Sequence, residues 1–376
     1  MKFNIDSKAL YSTVSAVSKV INSKNALTIL NNFYFKLTDS SLEVTGSDVE
    51  NALTAVVPVT GVEGEGDFCL DARRMVELLK EIPSQPITID INDQTLETEI
   101  TYSGDRYSMV AIAGDQYPVY KKDETADEPI VFTCPTSQVI AGLGKTAFAA
   151  GTDDFHPQMM GILFDATPEK IVFVATDTRQ LVMYKDETSA PGVTVKAIIP
   201  LKPAKVIQDV FADCETLTFA MTSKSATITG GNFTFNCRFI KGNYPPYERV
   251  IPQNNPYRLS VDRGRFLNAV RRVSIFVDPG YGMIKFKITN DKITMKSVDP
   301  NLCTLGLAEI DCQYDGPEIV IGFSAPFLSN ILQNIGSPTV NIFLSDPSRA
   351  GVFRPSEQPE HTDLLMLLMP MNVNEF

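Results

Sequence analysis

The chain has no tryptophan, two histidines (His156 and His361) and six cysteines, none within CxxC spacing of another. No HExxH, GxSxG or paired-cysteine pattern occurs, which removes the common metal-hydrolase and serine-hydrolase arrangements. The cysteines at 69, 134, 214, 237, 303 and 312 read as small reduced thiols, not as a disulfide frame or a metal site. Long apolar runs are also missing. The longest, Leu364–Met371, is far short of the ~20 residues a membrane helix needs. The start MKFNIDSKAL has no apolar signal core. These absences predict a cytoplasmic protein without membrane contact, cofactor, metal or catalytic site. Positive charge is scarce as well, with 33 Lys and Arg against 45 Asp and Glu and a net charge of −12. Taken alone, that balance argues against a nucleic-acid partner.

What the chain does have is self-similarity. An extended apolar stretch, a capping or turn residue and a helix-period run recur as FNIDSKAL (from Phe3), FCLDARRM (Phe68), FTCPTSQV (Phe132), IIPLKPAKV (Ile198), LSVDRGRF (Leu259) and IGFSAPFL (Ile321). Asp6, Asp71, Asp262 and Ser324 are placed to accept backbone N–H groups at the helix starts. A second pattern, strand–Asp–strand, recurs as LEVTGSDVENAL, IVFVATDTRQL and ITMKSVDPNLCTL around Asp48, Asp177 and Asp299. A third closes two of the units, as QYPVY (Gln116–Tyr120) and NYPPY (Asn243–Tyr247), each followed by a polar linker. The chain therefore reads as α+β, with three tandem domains at 1–125, 126–252 and 253–376. Each is expected to carry two helices on one face of antiparallel sheet and about eight strands. Such repeats stack head to tail into an open array or a closed ring.

The charge is partitioned. The predicted helix windows 7–21, 72–82, 136–149, 201–211, 263–276 and 324–335 hold twelve Lys and Arg but three acids, a net +9 that leaves −21 elsewhere. In the first window Leu10, Val14, Val17 and Ile21 form an apolar stripe with Lys8 and Lys19 opposite. In the fifth, Phe266, Val270, Val273 and Val277 oppose Arg265, Arg271 and Arg272. A ring lined by these helices would hold duplex DNA through its phosphates, without sequence preference. Helix axes about 10 Å apart leave a bore of about 9 Å for six helices and about 28 Å for twelve. B-DNA needs about 20 Å, so a lining of this kind requires two copies of the chain.

Four segments in order carry a resemblance: MKFNID, VATDTRQL, NYPPYERVIP and LLMPM. With the threefold repeat, they make the chain similar to the β subunit family of bacterial DNA polymerase III, the replicative sliding clamps, from Met1 to Phe376. The resemblance implies a ring-forming head-to-tail homodimer and a processivity factor with no catalytic site of its own. It implies partners that dock a short peptide into a slot between the second and third domains: the polymerase catalytic subunit, the clamp loader and other repair and replication proteins. The matching slot positions are Met159, Thr176, Thr178, Arg179, Leu181, Pro245, Arg249, Val250, Leu367, Leu368, Met369, Pro370 and Met371. Implied DNA contacts are Lys24, Arg73, Arg74 and Lys202; Lys205, one turn from Lys202, and Lys145 on the third helix are further DNA-binding candidates. Implied dimer residues are Arg106, Tyr107 and Met109 on a first-domain edge strand, with Ile275 and Phe276 after the fifth helix. The chain departs from the family pattern at Thr178, Arg179 and Gln180, where Gly-His-Arg is usual, at Asn372, and in the tail Val373–Phe376.

Two competing readings are weaker. Asp48, Asp177 and Asp299 occupy equivalent places in separate domains, so they read as turn formers and not as one acid–base site. Gly142-Leu-Gly-Lys-Thr146 mimics a phosphate loop, but Val139 stands where the pattern needs glycine. A β-rich scaffold that binds protein or carbohydrate explains the repeat but not the charge partition.

Overall fold

The computed structural model describes residues 1–22, 24–118, 127–278, 280, 282–299, 301–373 and 375–376. The boundary expected near 125, most of the linker before it, the end of QYPVY and one tail residue fall outside those residues.

Six α-helices follow the six recurring segments: α1 Ser7–Val17, α2 Ala72–Glu81, α3 Thr136–Thr146, α4 Leu201–Val210, α5 Arg263–Ser274 and α6 Ala325–Asn334. Three begin as their sequence dictates. Asp6 accepts from Ala9 N at 2.9 Å, Asp71 from Arg74 N at 2.8 Å and Asp262 from Arg265 N at 2.7 Å. Ser324 makes no such bond; proline in the first turn of α6 already removes one of the N–H groups a cap would satisfy. The helix α1 stops at Val17 and continues as a 3₁₀ turn, Ser18–Val20. The tighter winding brings Val20, not Ile21, into the core.

Tertiary packing divides the chain into two compact units, Met1–Ile140 with Lys202–Phe239, and Ala141–Leu201 with Ile240–Phe376. Each is organised by one nine-stranded antiparallel sheet whose strands come from two sequence thirds. In the first unit the ladder between Asn51–Pro58 and Phe233–Arg238 joins the first third to the second. In the second unit the ladder between Gln180–Asp186 and Thr362–Leu368 joins the second third to the third. The first unit adds a five-stranded sheet ending on Asp105–Val110. The second adds a four-stranded sheet in the order Thr304–Asp311, Lys292–Asp299, Met283–Ile288, Ile319–Ser324.

Helices α1 and α2 pack against each other, as do α5 and α6. Their inward faces carry the predicted stripes: Leu10, Val14 and Val17 on α1, and Phe266, Val270 and Val273 on α5, all buried. Gly142 lies in α3, where an added Cβ would stand 2.1 Å from the Phe173 ring. Helix-to-sheet packing therefore requires that glycine. Thr146 donates to Gly142 O at 2.7 Å, so the phosphate-loop lookalike is an ordinary helix turn.

The aspartates close turns. Asp48 Oδ1 accepts from Asn51 N at 2.8 Å, Asp177 Oδ1 from Gln180 N at 2.9 Å and Asp299 Oδ1 from Asn301 N at 2.9 Å. All six cysteines are unbridged, and burial pushes the Cys69, Cys134 and Cys237 thiols up to about 12. Those three are almost wholly protonated near neutral pH and unreactive.

Candidate functional site

The second unit contains a depression at the turn after Ile171–Thr176. A cavity of about 360 Å3 is lined there by Gly151, Thr152, Asp153, His156, Met159, Asp177, Thr178, Arg179 and Phe327. The turn is held from below. Thr176 Oγ1 donates to Gln180 O at 2.7 Å, and Asp177 accepts from the Arg179 and Gln180 amides at 2.9 Å each. Thr178 sits at φ +77°, a left-handed conformation that strains a β-branched residue and suits glycine. The conformation favours glycine, and this chain keeps the turn with threonine there.

Beside the turn, Leu181 stands opposite Leu367 across the ladder, and Gln180 opposite Leu368. Leu181 and Leu367 belong to one buried cluster with Leu163, Val174, Tyr247 and Val352, against which Tyr244 and Ile251 pack. Tyr244 donates to Val174 O at 3.3 Å, which fixes the segment carrying Pro245. The short turn Tyr247–Arg249 leaves Arg249 and Val250 exposed. The last strand ends at Leu368; beyond it Met369 is 43% exposed, and its amide donates to Arg179 O at 2.8 Å. The predicted slot residues thus fall into a buried floor (Thr176, Leu181, Leu367, Leu368) and an accessible rim (Met159, Thr178, Arg179, Pro245, Arg249, Val250, Met369, Pro370, Met371). The arrangement offers apolar surface beside the exposed Arg179 and Arg249, a lining suited to binding. Sequence reasoning missed Phe327, Gly151 and His156. Only their neighbourhood in space reveals them.

The predicted DNA residues divide differently. Lys24, Arg73, Arg74 and Lys205 are exposed, with Arg73 also paired to Glu77 at 2.8 Å. Lys202 is not free. Its ammonium donates to Val20 O, to Asn22 Oδ1 at 2.6 Å and to Asp48 Oδ2 at 2.6 Å. That fills all three of its N–H positions. Lys145 lies over the Tyr184 ring, 5.6 Å from its centre.

Two of the sheet edges bear on the predicted joint. Strand Asp105–Val110 carries Arg106, Tyr107 and Met109, with Val110 70% exposed. Strand Thr304–Asp311 presents Leu305 and Leu307 outward, 57% and 60% exposed, near exposed Leu302 and Val298. Its inward position Gly306 is filled by Phe276, whose ring carbon would stand 3.0 Å from an added Cβ. Ile275 beside it is 76% exposed. Exposed apolar strand edges of this kind are pairing surfaces.

Three family models match in succession: the N-terminal domain of the DNA polymerase III beta subunit over residues 1–121, the central domain over 133–246 and the C-terminal domain over 248–372. The beta sliding clamp of Staphylococcus aureus is 24% identical over 377 residues, covering 97% of this chain and 98% of that one. The Pseudomonas aeruginosa clamp is 23% identical over 375 residues, covering 99% and 100%. Among solved structures, the P. aeruginosa clamp bound to griselimycin superposes with a TM-score of 0.90 at 22% identity, covering 99% of this chain and all of that one. The Thermotoga maritima β subunit gives 0.89 at 20% identity, covering 99% of each chain. The matched domains span nearly the whole sequence in order, and the chain belongs to the DNA polymerase III β subunit family, the sliding clamps, which are non-catalytic accessory subunits of the replicative polymerase.

Proposed function

We propose that two copies of this chain join head to tail into a ring that encircles duplex DNA in the cytoplasm and tethers the replicative polymerase to it. The observation that carries this reading is a pair of edge strands, Asp105–Val110 and Thr304–Asp311, that both present exposed apolar side chains. They end different sheets and bear different residues, so a joint between them is heterologous and closes only when a second copy supplies both matches. Arg106, Tyr107 and Met109 lie on one side of that joint. Ile275, Phe276, Leu305 and Leu307 lie on the other. The three domains run 1–125, 126–252 and 253–376. Lys24, Arg73, Arg74 and Lys205 contact phosphates, and Lys145 and Lys202 add charge while holding the protein itself. The slot from Met159 to Met371 receives peptides of the polymerase catalytic subunit, the clamp loader and other replication and repair proteins. Griselimycin-bound relatives support a small-ligand site on this fold.

Light scattering tests the joint. The wild type is expected at twice the 41.4 kDa chain mass, and Ile275→Asp at a single chain; a monomer in both samples rejects it. The ring itself is tested by retention on closed circular DNA and loss from the same DNA after linearisation. Equal retention on both contradicts encirclement.

A further inference from the structure

The slot wall continues into a segment that crosses the outer face of the four-stranded sheet. The Met369 amide is anchored on Arg179 O, and the Met371 amide on Gly322 O at 2.9 Å. Chain beyond a last anchor of this kind ordinarily frays. Here the contacts go on. Strand register places Gly322, Lys285, Lys296 and Leu307 opposite one another in a single row. They alternate with buried Ile284, Phe286, Met295 and Phe323, so the row lies on the opposite face. The segment follows that row. Val373 occupies the space that Gly322 leaves open, since a Cβ there would stand 2.6 Å from the Val373 methyl and 3.0 Å from Met371 O. Glu375 O accepts from Lys285 Nζ at 2.5 Å, and the Phe376 ring lies 5.6 Å from Lys296 Nζ.

We propose that Val373, Glu375 and Phe376 form a strap that holds Met369–Met371 against the sheet and so preorganises the slot for its ligand. The part concerning the ligand rests on the slot reading given above. The family match ends at residue 372, so the strap lies just past the matched domain. A wall fixed before binding costs less ordering when the ligand arrives, which raises affinity without any new contact to it.

Two measurements on the full-length protein test this, one on the strap and one on its effect. Hydrogen exchange at the Met371 amide is compared between the wild type and a chain ending at Asn372. Exchange about tenfold faster or more is expected on truncation, as for a segment released to fray. Griselimycin is then titrated calorimetrically. Truncation is expected to weaken binding by about three- to tenfold, and Phe376→Ala by less, while Phe376→Trp retains wild-type affinity because indole is the better cation–π face. Unchanged exchange at Met371 overturns the strap. Faster exchange with unchanged affinity overturns its role in the slot. If the intact chain fails to bind griselimycin, the slot reading is what fails, and exchange at Met371 still decides the strap.

Discussion

The same turn occurs in both units and is used in opposite ways. In the first unit the Asp48 carboxylate, 6% exposed, is capped by the Lys202 ammonium, which also ties down Val20 and Asn22 at the end of α1. In the second unit the equivalent Asp177 turn has no such cation among the described residues, and the space beside it is the cavity bounded by Phe327. Aligning the first residues of α4 and α6 puts Lys202 level with Pro326, which has no side-chain charge to give. One repeat spends the turn on welding two sequence thirds together. The other leaves it open for a ligand.

The largest expected effect breaks the closed copy. Lys202→Met strands a buried carboxylate and is predicted to cost about 3 kcal/mol, read from the denaturant midpoint of the first transition. The salt dependence of DNA binding should not change. By contrast, Lys24→Ala or Arg74→Ala should leave stability nearly intact and each lower the slope of log K against log salt by about 0.9. A Lys202 variant that loses slope without losing stability would return that residue to the DNA-contact class. Asp177→Ala removes the turn's amide acceptor and is expected to cost about 1 kcal/mol. The cost is smaller than for Lys202 because no buried charge is orphaned. Smallest, and of opposite sign, Thr178→Gly should stabilise by about 0.5–1 kcal/mol by relieving φ +77°. Val49→Gly, at φ +79° in the closed copy, should do much the same. A destabilising Thr178→Gly would mean that the threonine side chain, not the turn, sets the rim.

Much of this was legible from local pattern. The six helix windows were read to within four residues because caps, stripes and preceding strands are local signals. The edge strand bearing Tyr107 was legible from alternation. That Lys202 also holds Asp48 was not legible, because amphipathicity reports only that a residue points away from its own helix core. Its partners lie 154 to 182 residues away in the chain. Leu305 and Leu307 were missed for a related reason. Alternation alone would turn leucines inward, but Phe276 fills the inner side at Gly306 and reverses the strand. Phe327 carried no signal beyond its place on α6. The floor of the slot was legible because Leu181 and Leu367 are core residues as well as lining.

The shared nine-stranded sheets mean that repeats visible in sequence are not separable bodies. The dividing point between the two units falls inside α3, after Ile140. Excising residues 126–252 would cut both long sheets lengthwise and bare the hydrogen-bonding edges of Phe233–Arg238 and Gln180–Asp186 at once. An isolated middle third should aggregate.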